Sequence, residues 1–214
     1  MAEGFDQTVY SEDVIAFTAT SNAFCAALES VNDVDRKQFL AEMQKILPEL
    51  YLKVLQLPEL ENIFEEGNEK FVTIDDWNSI HDSILLKLAH FDDYLEVFDK
   101  KMEESEEPIS RSISEDLTDI YQDIKDFLML YRIGTNELMN DAIWECRQNF
   151  ETYWGQKLVN VLRAVHNLVY NEPHLDENED NKDIPTGINP DNVDTSSWLI
   201  NKRFEDYRDD EDKQ

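Results

Sequence analysis

Asp116, Asp119, Asp123 and Asp126 follow one another at steps of three and four, the spacing that stacks side chains along one helix face. Such a stripe repels itself by roughly a few tenths of a kcal/mol per like-charged pair unless cations or donors sit against it. The arginines available in the central region are Arg111, Arg132, Arg147 and Arg163, and of these Arg147 is flanked by an apolar helical face. A guanidinium matches carboxylates with a planar fork of donors. The spacing therefore predicts a buried or half-buried network in which Arg147 is held against one or more of Asp116, Asp119 and Asp123 where two helices pack.

Other chemistry finds less support in the residues. Helical di-metal centres need Glu-x-x-His pairs on one face, and the residues three before His81, His90, His166 and His174 are Asn78, Lys87, Arg163 and Asn171. The run at 176–183 has the acidity of a calcium loop, but Asn181 stands where the glycine belongs and Gly187 where the bidentate glutamate belongs. No metal or cofactor is expected, and folding should not require one. There is no Gly-x-Ser-x-Gly elbow, no glycine-rich phosphate loop, and no cysteine in an activating context. His166, near Trp154 and Arg163, could be a general base in a cleft, but a core histidine bonded to a carboxylate or carbonyl is the expectation. Aromatic residues at helical spacing, Tyr121 and Trp154 among them, belong mainly to a core. Exposed beside the aspartates, they would line a peptide groove, which makes Asp116, Asp119, Tyr121, Asp123, Arg147, Trp154 and His166 the candidate polar network or binding face.

The elements that must hold these residues read as helices. Ser11 caps a first one carrying Val14, Phe17, Phe24, Leu28 and Val31. A second starts near Asp35, with Pro48 expected to kink or split it. After an acidic connection at 58–72, Thr73 and Asp76 form a capping box for a third, whose apolar face runs from Trp77 to Phe98. A charged loop at 100–108 leads to the aspartate helix, capped by Ser112 or Ser114 and ended by Gly134. The fifth and longest runs over residues 136–170, with Gly155 marking a kink or a close helix contact. No fixed repeat links these helices, so an irregular antiparallel all-α bundle of five to seven helices is expected, not a solenoid.

Composition bounds the rest. With 5 glycines and 6 prolines in 214 residues, turns are few and helices favoured over a many-turned β fold. The formal charge of -29, from 19 basic and 48 acidic residues, argues against nucleic acid and anionic membrane as partners and favours a protein or peptide with a basic surface. No signal peptide or membrane span is visible, and Cys25 and Cys146 fall on core-facing positions, which suits a cytoplasmic protein with reduced thiols. The expected layout is an extension at 1–10, a helical domain at 11–170, an acidic linker at 171–194 and a tail at 195–214. In that tail Trp198, Arg203 and Phe204 could form a short helix that docks on its own domain or on another chain.

The run PISRSISEDLTDIYQDIKDF at residues 108–127, followed by AIWECR at 142–147, FETYWGQKL at 150–158 and LRAVH at 162–166, resembles the bacterial domain of unknown function 5063 family. The segments LPELY at 47–51 and TIDDW at 73–77 resemble its earlier blocks, and the likeness covers roughly residues 12–170. It implies an all-helical bacterial cytoplasmic protein and carries over no activity and no catalytic residues. The residues themselves favour a non-enzymatic interaction or regulatory protein. A carboxylate-dependent hydrolytic or metal-assisted enzyme is the alternative, and a DNA mimic a weaker one.

Overall fold

Five helices begin where a side chain satisfies one of their unpaired amides. In the computed structural model, which describes residues 8–65, 67–95, 109–173 and 175, Ser11 accepts from the Val14 amide to open α1 (Glu12–Glu29). Asp35 does the same for α2 (Arg36–Leu55), and Thr73 with Asp76 forms the full capping box of α3 (Ile74–Leu88). Ser112 caps α4 (Ile113–Ile133), which closes on Gly134 in the left-handed conformation, and Thr135 caps α5 (Asn136–Asn149). The last helix among the described residues is α6 (Gly155–Asn171).

Among the described residues the fold is all-α apart from a two-stranded antiparallel ribbon. In it β1 (Asp93–Leu95) pairs with β2 (Ser110–Ser112), with Tyr94 opposite Arg111. This ribbon corrects the expected length of the third helix. That helix stops at Leu88 because Ala89 adopts a positive φ of 53°, and the chain passes through a 3-10 turn at Ala89–Phe91 into β1. Pro48 does not split α2, which is continuous through it.

Helix α4 lies at the centre, packed on α1, α3, α5 and α6, while α2 covers α1 and α6. Surrounded on so many sides, α4 buries polar as well as apolar positions, Asp116, Thr118, Asp119 and Asp126 among them. Val9 and Leu175, both outside the expected 11–170 span, are buried in the same core. Cys25 and Cys146 are free and buried, and burial pushes both thiols well above their ordinary range. The charged loop at 100–108, the acidic run from 176 and the tail with Trp198, Arg203 and Phe204 lie outside the described residues.

The expected single helix over 136–170 is two helices joined by a π-helical turn, Phe150–Trp154, in which the Gly155 amide bonds the Phe150 carbonyl. A Cβ on Gly155 would stand 2.5 Å from that oxygen and 2.9 Å from the Phe150 ring. The glycine therefore answers to its own preceding turn. Gly155→Ala is expected to destabilise by about 1–3 kcal/mol through overpacking, more than the ~1 kcal/mol that alanine gains in helix propensity. Urea unfolding of the two proteins checks this, and an unchanged or higher midpoint would rule the clash out.

The described residues between Leu57 and Thr73 form neither helix nor strand. This strap crosses α4 and α5, and side chains of those helices take hydrogen bonds from its backbone amides.

Candidate functional site

Two aspartates one helical turn apart on α4, Asp116 and Asp119, point at the start of α6. Lys157 Nζ lies 2.5 Å from Asp116 Oδ1 and 2.9 Å from Asp119 Oδ2, bridging them. The Tyr94 hydroxyl from β1 donates to Asp116 Oδ2. Trp77 Nε1 from α3 donates to Asp119 Oδ1 at 3.1 Å, and the Tyr153 hydroxyl from the π turn donates to Asp119 Oδ2 at 2.5 Å. All four carboxylate oxygens are thus engaged, by groups from four different elements.

Burial alone would lower the Lys157 pKa, but the charges and hydrogen bonds of Asp119 and Asp116 more than reverse this and hold it above the ordinary lysine value. The ammonium stays protonated, which suits a bridging cation and not a nucleophile or base. Beside it, burial raises the Glu115 carboxyl, against partial opposition from Lys157.

Lower on α4 the pattern changes from ion pair to backbone anchor. Asp123 accepts from Asn149 Nδ2 of α5 at 2.8 Å. Asp126 Oδ1 accepts the Phe71 and Val72 amides of the strap at 2.8 and 3.1 Å. From α5, Asp141 takes the Ile63 amide on one oxygen and the Phe64 amide on the other, at 2.7 and 2.8 Å. Asn140 Nδ2 reaches the Glu61 carbonyl at 2.7 Å, and Glu145 binds Asn68 and Lys70 of the strap. At the other end of α4, Asp92 accepts from the Ser114 amide and from the hydroxyls of Ser112 and Ser114, so the N-terminus of α4 is capped twice.

These placements correct the expected network. Arg147 does not meet Asp116, Asp119 or Asp123. Its Nη1 donates to the Leu57 carbonyl at 2.6 Å, while Nε and Nη2 reach Glu151 and Glu59 at 3.2 and 3.5 Å. The reason is angular. Asn149 takes the place facing Asp123, and Arg147, two residues away and about 200° around the helix, looks out onto the start of the strap.

His166 is exposed, its ring 4.7 Å from that of Tyr170, so it is neither a core histidine nor part of the cluster. Tyr121 is buried on another side of α4, donating to Glu29 of α1 at 2.8 Å. Trp154 is fully buried, edge-on to Phe150, and its Nε1 has no hydrogen-bond partner among the described residues. No tryptophan among the described residues is exposed beside the aspartates. No group of three or more His, Cys, Asp or Glu among the described residues could hold a metal ion.

Sequence reasoning missed Lys157, Tyr94, Asp92, Asn140 and Asp141. A signal for Lys157 did exist. It falls in step with Tyr153, Asn160 and Ala164, on a helix face with no other charge, and Asn160 and Ala164 are buried. Asp141 offered none, because its partners are main-chain amides.

Asp126 gives a pH test. Burial raises its carboxyl pKa, against partial opposition from the Phe71 and Val72 amides and Lys70, with Glu145 adding to the rise. A raised folded-state pKa contributes stability that is present in acid and lost as pH climbs through the raised value. Asn at this position keeps the Oδ1 acceptor that both amides use. Asp126→Asn is therefore expected to cost under about 1 kcal/mol near neutrality. Its deficit against the unsubstituted protein should shrink or change sign as pH rises from acid to neutral. Urea melts across that range read the difference, and a pH-independent one would contradict the assignment.

The profile described as "Domain of unknown function (DUF5063)" matches residues 8–171. Among solved structures the chain is similar to protein BF1032 from Bacteroides fragilis, at 42% identity and a TM-score of 0.70, over 77% of this chain and 97% of that one. No curated protein matches.

Proposed function

This chain belongs to the DUF5063 family, and from that premise we propose that it is a non-enzymatic interaction protein whose acidic surface binds a protein with a basic surface. One observation carries this reading. The carboxylates buried among the described residues, Asp92, Asp116, Asp119, Asp126 and Asp141, are all committed to internal donors. The residues best placed for acid–base chemistry thus hold helices and strap together. The large acidic excess is left to the surface, where its field draws in and orients a basic partner.

An enzyme built on Asp119, Asp123, Arg147 and His166 is not favoured, because these four do not share a cleft: Arg147 faces the strap and His166 faces solvent. No described helix is long and apolar enough to cross a membrane.

The test is capture on the tagged full-length chain from a lysate of its own cells, repeated at rising ionic strength. Specific retention of a protein of high isoelectric point, weakened as salt screens the charges, is expected. Retention indifferent to salt, or none at low ionic strength, would overturn the reading.

A further inference from the structure

We propose that the groove between the strap and the α4–α5 turn is the docking site for a short basic segment of a partner protein that carries one or two bulky apolar anchors. The proposal rests on the acidic-surface reading above and gives it an address. The groove has a volume of about 620 Å³, with Leu130, Ile133 and Leu138 from the helices on one side and Ile63 and Phe64 from the strap on the other. That size suits one or two large side chains with part of their backbone.

Three of its apolar residues are left in water. Ile63 and Phe64 are each 43% exposed and Ile133 is 52% exposed, so an apolar patch is concentrated at one place on a highly charged surface. The Ile63 and Phe64 amides are already tied to Asp141, so this wall is held in position before anything binds.

Charge around the groove names the occupant. Glu65 and Glu69 stand at its rim, exposed and paired with no basic side chain among the described residues. Glu137 lies in the first turn of α5 beside Leu138. The C-terminus of α4, whose dipole places partial negative charge there, ends at this same turn. Against these stands Arg132 in the last turn of α4, while Lys70 is engaged by Glu145 and Asp126. A segment with apolar side chains for the floor and Lys or Arg for the rim is complementary on both counts. Nucleic acid and acidic peptides are repelled.

The test uses the full-length chain and two labelled synthetic peptides, one with leucine and phenylalanine between pairs of lysines and one with serine at both apolar positions. In fluorescence anisotropy the apolar peptide is expected to bind roughly tenfold or more tighter, the effect of burying one or two large side chains. Phe64→Ser and Ile133→Ser should each remove most of that preference while leaving the serine peptide unchanged. Both replace half-exposed side chains, and a thermal melt verifies that folding is kept.

Equal binding of the two peptides, or a preference that survives both substitutions, overturns the groove while leaving the acidic-surface reading standing. No binding of either peptide at low ionic strength overturns both. Two further results would replace the occupant. Tighter peptide binding by the full-length Trp198→Ala, Phe204→Ala double variant would give the groove to the chain's own tail. Loss of self-association on Ile133→Ser would give it to a second copy.

Discussion

Lys157→Met is expected to destabilise the protein by roughly 3–5 kcal/mol, the largest effect of any single side-chain change in the cluster. The lysine side chain is 16% exposed and its two partners 4% and 9%, so its removal strands two carboxylates in a site water barely reaches. Methionine preserves most of the aliphatic stem, so the loss reports charge and not packing. The two stranded groups repel each other as well as losing their cation. Adding Asp119→Asn to Lys157→Met should recover part of the loss, because one stranded charge is gone while the amide oxygen still serves Trp77 and the Tyr153 hydroxyl can turn to accept from the new NH2. Urea unfolding of the single and double variants decides it. A single variant within about 1 kcal/mol of the unsubstituted protein would place the pair in the class of solvent-exposed bridges.

The second large effect sets Asp141 against Asp126. Both are buried and both bind strap amides, yet Asp126 presents one oxygen to two amides while Asp141 spends one oxygen on each. An asparagine in place of Asp141 must turn its NH2 toward either Ile63 or Phe64, and a donor then faces a donor. Asn140 also donates to Asp141 Oδ1, at 2.9 Å, so neither orientation is comfortable. Asp141→Asn is expected to cost about 2–3 kcal/mol, against under about 1 kcal/mol for Asp126→Asn. Amide hydrogen exchange should speed up at Ile63 and Phe64 in the first variant and little at Phe71 and Val72 in the second. Equal costs for the two substitutions would contradict the division of labour between the oxygens.

Four of the helix starts were legible because caps are local. Ser11, Asp35, Thr73 and Ser112 each satisfy an amide three residues on, and that spacing is written in the sequence. Periodicity likewise assigned Val14, Phe17, Phe24 and Leu28 to the core. The network failed at its cation. The aspartates were identified as needing partners, and Asp116 and Asp119 have one, but a face does not say which element opposes it. Arg147 and Lys157 both stand among apolar residues, and only the packing of α6 on α4 distinguishes them. The preference for arginine rested on its fork, whereas the site needs a compact ammonium that reaches two carboxylates a turn apart. The strap was illegible for another reason. It donates and accepts largely through its own main chain, which every residue possesses, so no residue type in the strap marks the contact.

That strap has a consequence for the order in which the chain assembles. Its amides bind Asp141 and Asp126 across sequence separations of 78, 77, 55 and 54 residues, to side chains that are themselves brought together when α4 meets α5. A ribosome that has released the strap has not yet made the residues that hold it. Loop closure over such spans is costly until the contacts at its end exist to offset it. The α4–α5 hairpin, closed by the short turn at Gly134, is local and can form first. Refolding followed by pulsed hydrogen exchange should therefore protect α4 and α5 amides before those of Ile63, Phe64, Phe71 and Val72, even though the strap precedes them in the chain.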